Sequence, residues 1–420
     1  MRRTLIAAAL LVLSTNAFAD PPELASWRIN TSGSTGFNGI KSNVRLVQYS
    51  AANVYVSSAS IPSYDIGPWP GNPNTATDQN FTFRITRTPQ VNAGTKTATP
   101  LGQIAVMVNG VVAFNALDGM SYSNQNVWHQ DAVVVEGPSF DNCEGHPAPS
   151  GAYHHHLNPR CLYTPDSTKH SPLIGYAFDG FPIYGEYGYA NVNGSGGIQR
   201  MRSSYRLRAI TTRTTLPNGT VLIPSRYGPP VSATFPLGYY VEDREYVAAL
   251  GDLDEHNGRF TVTPEYPSGI YAYFVTLDAA GEGLYPYVLG PNYYGILTAG
   301  NTGPGGGHVT PSEAVLTYVP VASVGDPASG AGAALSRLGA SPNPSFGRTR
   351  LRWTLGVAAR VRVSLYDVRG AEVLRPLDDL ESAPGDYTYV LEAGRVPPGA
   401  YFVEIRTERA RAAKRLVLIR

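Results

Sequence analysis

Apolar and polar residues alternate along short stretches of this chain, and turn residues separate each stretch from the next. Around Phe81 and Phe83, every second residue is apolar, which is the period of a strand with one buried face. In the run 105–114, the pair Asn109-Gly110 separates two β-branched segments, a strong signal for a β-hairpin. Long stretches with helical periodicity are missing. The pattern predicts an all-β fold with a β-sandwich-like main domain.

Composition strengthens this prediction. The chain has 44 glycines and 34 prolines among 420 residues, well above the usual combined share of about 12%. Charged residues make up only 15%, against about 25% in an average globular protein. Such a chain is expected to consist of short strands joined by turns. No segment after the N-terminus offers about 18 uninterrupted apolar residues, so we expect no membrane-spanning segment in the mature chain.

The sequence predicts four segments. Residues 1–19 contain two arginines, an apolar run and a small-x-small end, the pattern of a secretory signal peptide that is cleaved off. Residues 20–322 are expected to form the β-rich main domain. The segment 323–336 is rich in small residues and predicts a flexible linker. Residues 337–420 contain alternating strands separated by turns, which predicts a small immunoglobulin-like sandwich.

Charge is unevenly divided between the two predicted domains. Residues 20–335 carry 16 Lys/Arg and 23 Asp/Glu, a net charge of −7, whereas residues 336–420 carry 15 and 9, a net charge of +6. An acidic main domain disfavours nucleic-acid binding, so we expect no nucleic-acid partner. Its negative charge suits either cation binding or simple solubility.

Both cysteines and four of the eight histidines fall within residues 141–161. Because an exported protein folds in an oxidising compartment, we expect Cys143 and Cys161 to form a disulfide rather than to bind a metal as thiolates. Closing a loop of this size contributes about 3 kcal/mol in the chain-entropy model. The cysteines are therefore expected to hold the histidine-bearing segment together.

The histidines of this segment are candidates for metal binding. On a strand, His154 and His156 would share one face and His155 would point to the other. Two imidazoles can bind Zn²⁺ or Cu²⁺, but a tight site needs further ligands. The residues that folding could bring close to them are His146, Asp179 and His256, with His129 and His170 as further candidates. The carboxylates that could orient the imidazoles are Asp141, Asp179 and Asp254.

Two other interpretations stay open at this stage. Tyr153, His154 and His156 could form a buried hydrogen-bonded cluster that holds the surrounding loops, or they could act in catalysis without a metal. Asp179 precedes a glycine, and Asp-Gly is first of all a turn signal. No G-x-S-x-G or H-E-x-x-H motif accompanies the histidines. The local pattern therefore indicates a site without naming a reaction.

The C-terminal segment resembles the type A sorting domain of the bacterial type IX secretion system. The resemblance rests on Asn343-Pro344, the YDVRG at 366–370, the turn and strand at 398–401, and a basic strand that ends at Arg420. It implies that the type IX machinery is a partner, that the chain crosses the periplasm to the outer surface or the medium, and that this domain can be removed there. The alternative is an accessory immunoglobulin-like module with no role in export.

The main domain resembles the YHYH family, named for a Tyr-His-Tyr-His motif. The matching residues are Gly151, Tyr153, His154, His156, Pro159, Cys161 and Leu162, and the likeness continues through 170–185, 253–276 and 285–295. It covers most of residues 100–300. Two positions depart from the family pattern: His155 stands in place of the second Tyr, and His256 stands where we associate the family with Cys. Because His155 faces away from its neighbours on a strand, its substitution should leave the pair intact.

These observations predict a secreted or cell-surface protein with a divalent-metal site, Zn²⁺ or Cu²⁺, centred on His154 and His156. A catalytic metal would keep one position open for water or substrate, which suits hydrolytic or redox chemistry. The alternative is a surface binding module without enzymatic activity, for example for glycans, in which the histidines are structural.

Overall fold

The computed structural model describes residues 20–303, 305–318, 320, 335–367, 370–408 and 410–419. The predicted signal peptide and nearly all of the predicted linker lie outside these residues. The chain divides into two compact units, one ending at Tyr318 and the other beginning at Val319. Each unit has its own hydrophobic core.

The first unit is built from short strands. They are β1 (Val44–Tyr49), β2 (Asn53–Ser58), β3 (Phe81–Thr86), β4 (Gln103–Met107), β5 (Val112–Phe114), β6 (Leu117–Ser121), β7 (His129–Asp131), β8 (His146–Pro147), β9 (Tyr153–His155), β10 (Leu173–Ala177), β11 (Pro182–Tyr184), β12 (Tyr187–Tyr189), β13 (Ile198–Arg200), β14 (Tyr205–Leu207), β15 (Arg244–Tyr246), β16 (Gly258–Thr261), β17 (Ile270–Phe274) and β18 (Leu316–Thr317). Its helices are α1 (Pro22–Ala25), α2 (Ala132–Glu136) and the 3-10 turns Phe37–Gly39, Tyr122–Asn124, Gly137–Ser139, Pro224–Arg226 and Val241–Asp243.

Two sheets enclose the core of this unit. The smaller sheet has the strand order β18-β1-β2-β3, and the larger has the order β16-β17-β11-β10-β4-β5-β9-β8. One continuous apolar cluster includes Val54 and Phe83 of the smaller sheet together with Val106 and Tyr176 of the larger one. Strand β3 shows the predicted alternation of buried and half-buried residues. The main domain is therefore sandwich-like, as its periodicity predicted.

The hairpin predicted at Asn109-Gly110 forms between β4 and β5, whose Val106 and Val112 are paired. Gly110 has a φ of +80°, a left-handed conformation that favours glycine, and an added Cβ would lie 2.5 Å from the Ser58 Cβ. Beyond the hairpin, β5 pairs in parallel with β9, and β9 pairs antiparallel with β8 at the edge of the sheet. The hairpin thus supplies the support for the two short strands that carry histidines.

The second unit is a smaller sandwich. Its strands are β19 (Ser336–Ser341), β20 (Arg348–Leu355), β21 (Ala359–Asp367), β22 (Glu372–Ser382), β23 (Gly385–Glu392), β24 (Gly399–Arg406) and β25 (Arg411–Leu418). They form sheets with the orders β19-β20-β23 and β22-β21-β24-β25. Leu351 and Trp353 of the first sheet pack with Val363 and Val403 of the second in one core. Seven antiparallel strands in two sheets match the predicted immunoglobulin-like architecture.

The all-β prediction is confirmed for both units. Within the described part of the chain, no helix has the length and apolar character needed to span a bilayer.

Candidate metal centre

Three histidines and one glutamate meet at the edge of the larger sheet. His146 on β8 and His154 on β9 are direct cross-strand partners, so their side chains are neighbours. His156 lies two residues beyond His154 and points to the same side, as the strand period predicts. Glu136 is the last residue of α2, whose N-cap Asp131 accepts a hydrogen bond from the Val133 amide. Four residues of the segment 136–156 therefore meet through one strand pair and one short helix.

The inner atoms of the four side chains face one another. The Nε2 atom of His154 lies 3.1 Å from Nε2 of His146 and 3.0 Å from Nε2 of His156. The Oε2 atom of Glu136 lies 2.9 Å from Nε2 of His146 and 3.1 Å from Nε2 of His156. All four atoms fall within 4.8 Å of one another. The three imidazoles are buried, with 2–5% of each residue exposed, and Glu136 is partly exposed.

The outer nitrogens of His154 and His156 both face backbone carbonyls. Nδ1 of His154 lies 3.0 Å from the Ala152 oxygen, and Nδ1 of His156 lies 2.6 Å from the Asn115 oxygen. A carbonyl can only accept, so each Nδ1 carries the hydrogen and donates it. In the neutral imidazole the other nitrogen, Nε2, then has only a lone pair to offer.

The outer nitrogen of His146 is oriented by a hydroxyl. Nδ1 lies 2.7 Å from Oγ of Ser139, which donates its own hydrogen to the Glu136 carbonyl at 2.8 Å. The Ser139 oxygen is therefore free to accept from Nδ1. The Asn72 amide nitrogen, 3.3 Å from the same Nδ1, donates to the Pro147 carbonyl at 2.9 Å. The Ser139 hydroxyl therefore allows His146 to carry its hydrogen on Nδ1, which leaves Nε2 with a lone pair in that tautomer.

In the tautomers that carry the hydrogen on Nδ1, four electron-pair donors converge, namely three Nε2 atoms and one carboxylate oxygen. Burial, together with the neighbouring imidazoles, holds the pKa of His154 well below its usual value, so this ring stays neutral near pH 7. Burial alone would raise the pKa of Glu136, but the imidazoles of His146 and His156, when they carry a hydrogen on Nε2, hold it well below its usual range. A neutral, outward-donating imidazole and an ionised carboxylate are the ligand states that a divalent metal requires.

The four side chains line an open cavity of about 610 Å³. The Phe114 ring stacks on the His154 imidazole with centroids 3.8 Å apart, and Phe140 lies 4.9 Å from the His146 ring. Asp118 is a further carboxyl group of the lining. Burial and then the neighbouring Glu136 carboxylate raise the pKa of Asp118 to about 6. The imidazoles are therefore packed against aromatic rings, and the cluster is reachable from the cavity.

Comparison with known families places this site in context. A model of the YHYH protein family matches residues 82–282. The chain contains a YHYH domain. A model of the secretion system C-terminal sorting domain matches residues 341–419, which indicates export to the outer surface or the medium by the type IX machinery. No curated protein matches the chain.

All four clustered residues lie within the matched part of the YHYH domain. Its motif residue His155 faces the opposite side of β9, as predicted. There Nδ1 donates to the Glu144 carbonyl at 2.8 Å, and Nε2 lies 3.3 Å from the Tyr64 hydroxyl. Burial lowers the pKa of His155 to about 4. The middle histidine of the run is therefore a neutral part of the packing and does not reach the cluster.

Two predicted ligands of the YHYH domain lie outside the cluster. Asp179 accepts hydrogen bonds from the Tyr273 hydroxyl at 2.6 Å and from the Gly295 amide at 2.8 Å. His256 sits in a turn with Nδ1 3.1 Å from the Asn292 carbonyl. Both segments are close to other strands of the sheet rather than to β8 and β9, and neither side chain belongs to the group of four.

The predicted orienting carboxylates also have other partners. Asp141 accepts from the Tyr153 hydroxyl at 3.1 Å and from the Cys143 amide at 2.9 Å, and so shapes the loop before β8. Asp254 accepts from the Tyr271 hydroxyl at 2.9 Å. These carboxylates fold loops and do not touch the imidazoles of the cluster.

The further candidates His129 and His170 are also elsewhere. Nδ1 of His129 lies 2.5 Å from a Glu242 oxygen. His170 packs against the Tyr184 and Tyr189 rings. Neither histidine is a member of the cluster.

The predicted disulfide joins Cys143 to Cys161, with Cα atoms 5.1 Å apart. It closes the segment that carries both β8 and β9. Sequence analysis missed Glu136, Ser139 and Asn115. The one local signal for Glu136 is a carboxylate ten residues before His146, next to a Gly-Pro turn.

Proposed function

We propose that the YHYH domain of this exported protein binds one divalent transition-metal ion through His146, His154, His156 and Glu136. The observation that carries the proposal is the direction of the hydrogens. His154 and His156 donate outward through Nδ1 to carbonyls, and the Ser139 hydroxyl allows His146 to do the same, which would leave three Nε2 lone pairs and a carboxylate oxygen pointing at one another. Lone pairs about 3 Å apart repel unless a cation lies between them. A metal ion is the cation that this donor set fits.

The donor chemistry supports a borderline transition metal. Imidazole nitrogen suits zinc and copper, whereas calcium and magnesium prefer oxygen ligands. Three neutral imidazoles and one carboxylate would leave a divalent ion with a net charge of +1, which the nearby Asp118 carboxyl can balance. A backbone carbonyl, as on the outer nitrogens of His154 and His156, is a usual partner of metal-binding histidines and fixes the orientation of the ring.

The cavity gives this ion a functional setting. An ion in the group of four would be reachable by water or a small ligand from the open side. When bound there, zinc would supply a Lewis acid that acidifies water, and copper would supply a redox couple. Here the residues of the chain hold the ion and keep its ligands in the deprotonated state. The Phe114 and Phe140 rings limit access where they cover the imidazoles. The sorting domain would deliver this site to the outer surface or the medium and could be removed there.

Metal content of the full chain tests the proposal. The protein is stripped with a chelator, reconstituted separately with Zn²⁺ and Cu²⁺, dialysed and analysed for metal. We expect one ion per chain in the wild type and none in the double variant His154→Ala/His156→Ala. Glu136→Gln, which preserves shape, should weaken binding at least tenfold because it removes the anionic ligand.

Two control variants separate this site from unspecific binding. His308→Ala removes an exposed histidine of the same unit, and His155→Phe removes the histidine on the other face of β9. Both should retain one ion per chain. A wild-type protein that holds neither metal would overturn the proposal and favour the alternative, a surface binding module with structural histidines.

A further inference from the structure

We propose that the ion of this site is Cu²⁺ in a tetragonal plane, with three imidazole nitrogens and one carboxylate oxygen as the in-plane ligands. This inference rests on the proposed metal site and adds the identity and coordination geometry of the ion. It follows from the order in which the four donor atoms contact one another.

The four donors form a ring rather than a compact tetrahedron. Going around the ring, His154 contacts His146 at 3.1 Å and His156 at 3.0 Å. Glu136 closes it, because its Oε2 lies 2.9 Å from Nε2 of His146 and 3.1 Å from Nε2 of His156. Among the described residues, Glu136 forms no such contact with His154, so these two lie opposite each other in the ring.

The imidazole rings follow the same order. The centroid of the His154 ring is 4.6 Å from that of His146 and 4.8 Å from that of His156. The His146 and His156 centroids are 5.8 Å apart. His146 and His156 are therefore the second opposite pair, with His154 between them.

These separations match a square better than a tetrahedron. Four ligands about 2.1 Å from one ion are about 3.4 Å apart in every pair of a tetrahedron. In a square with the same bonds, neighbours are about 3.0 Å apart and opposite ligands about 4.2 Å apart. The four neighbouring contacts here are 2.9–3.1 Å, and all pairs fall within 4.8 Å.

The square order of the four contacts favours one type of ion over another. Zn²⁺ in protein sites is almost always tetrahedral, whereas tetragonal nitrogen and oxygen sites suit Cu²⁺ or Ni²⁺. Of these two ions, Cu²⁺ binds more tightly to the same ligands. The ligands are also held before the ion arrives, because cross-strand pairing fixes His146 against His154, and the Asn115 carbonyl fixes His156. A preformed ring of donors with this order of contacts favours an ion that prefers a square arrangement of ligands.

Electron paramagnetic resonance of the Cu²⁺-loaded full chain tests this inference. We expect an axial spectrum with g∥ larger than g⊥ and with hyperfine splitting from three nitrogens. In His146→Ala the nitrogen count should fall from three to two, while His308→Ala should leave the spectrum unchanged. X-ray absorption of the same sample should give nitrogen and oxygen neighbours and no sulfur.

The outcomes separate the two levels of the proposal. A rhombic, tetrahedrally distorted copper spectrum, together with four equal zinc–ligand distances in the Zn²⁺-loaded protein, would overturn the tetragonal site but keep the metal site. Absence of any bound ion would overturn both. A copper signal that persists in His154→Ala/His156→Ala would place the ion elsewhere and also overturn both.

Discussion

The first unit contains two polar clusters that each include a carboxylate but differ in where their hydrogens lie. Asp179 is completely buried, and its oxygens accept from the Tyr273 hydroxyl and the Gly295 amide. In the histidine cluster, His154 and His156 direct their Nδ1 hydrogens outward to carbonyls and their Nε2 lone pairs inward. Burial of polar groups therefore does not by itself identify a metal site. The direction of donation distinguishes a satisfied structural cluster from a group of side chains that could hold a cation.

The largest expected effect is stabilisation of the protein by the metal. An ion that binds only the folded state at a thousandfold excess over its Kd raises the free energy of unfolding by about 4 kcal/mol. We expect this increase in urea unfolding of the wild type loaded with Zn²⁺ or Cu²⁺, and its loss on chelation. The increase should be absent in His154→Ala/His156→Ala.

The Asp179 cluster supplies the matched comparison. Asp179→Asn should lower the free energy of unfolding in the absence of metal, because the new amide faces the Gly295 amide, another donor. Adding metal should raise the free energy of unfolding of Asp179→Asn by the same amount as that of the wild type. If Asp179→Asn removed the metal effect instead, the distinction between the two clusters would be wrong.

Local sequence patterns predicted more of the fold than of the site. Alternation identified the strand that begins at Phe81, and Asn109-Gly110 identified the hairpin, because both depend on neighbours in the sequence. The shared face of His154 and His156 has the same local origin. The contact of Glu136 depends on how α2 packs against the sheet edge, which no local pattern encodes.

Long-range strand pairing also explains why a predicted ligand such as Asp179 lies outside the cluster. Asp179 was chosen by residue type, but its neighbours are determined by the long-range pairing of β10, β11 and β17. There the side chain meets Tyr273, 94 residues away in the chain. A carboxylate between aromatic residues looks the same in sequence whether its partners are hydroxyl groups or metal ligands.

A second, smaller effect is expected from the disulfide. The Cys143→Ser/Cys161→Ser variant removes the cross-link between two positions 18 residues apart. Its loss should lower the free energy of unfolding by about 3 kcal/mol. Because β8 and β9 lie inside this loop, metal affinity should fall as well. The pH dependence contributed by Asp179, outside the loop, should be unchanged. A variant with unaltered metal affinity would show that strand pairing alone holds His146 against His154.

The smallest expected effect is a difference in pH dependence between the two clusters. Burial raises the pKa of Asp179 to about 6, whereas an unfolded aspartate titrates near 4. Between these values the folded state binds more protons than the unfolded state, so this group makes stability decrease as pH rises, by roughly 3 kcal/mol in total. Urea unfolding from pH 4 to pH 7 should show this decrease in the wild type relative to Asp179→Asn.

The histidine cluster should act in the opposite direction in the metal-free protein. Because the pKa of His154 is held below its unfolded value, the unfolded state binds more protons as pH falls below about 6.5, and stability decreases toward acid. The wild type minus His154→Ala difference should therefore fall on acidification, while the wild type minus Asp179→Asn difference should rise. Parallel slopes would mean that the cluster is held together by a proton rather than prepared for a metal ion.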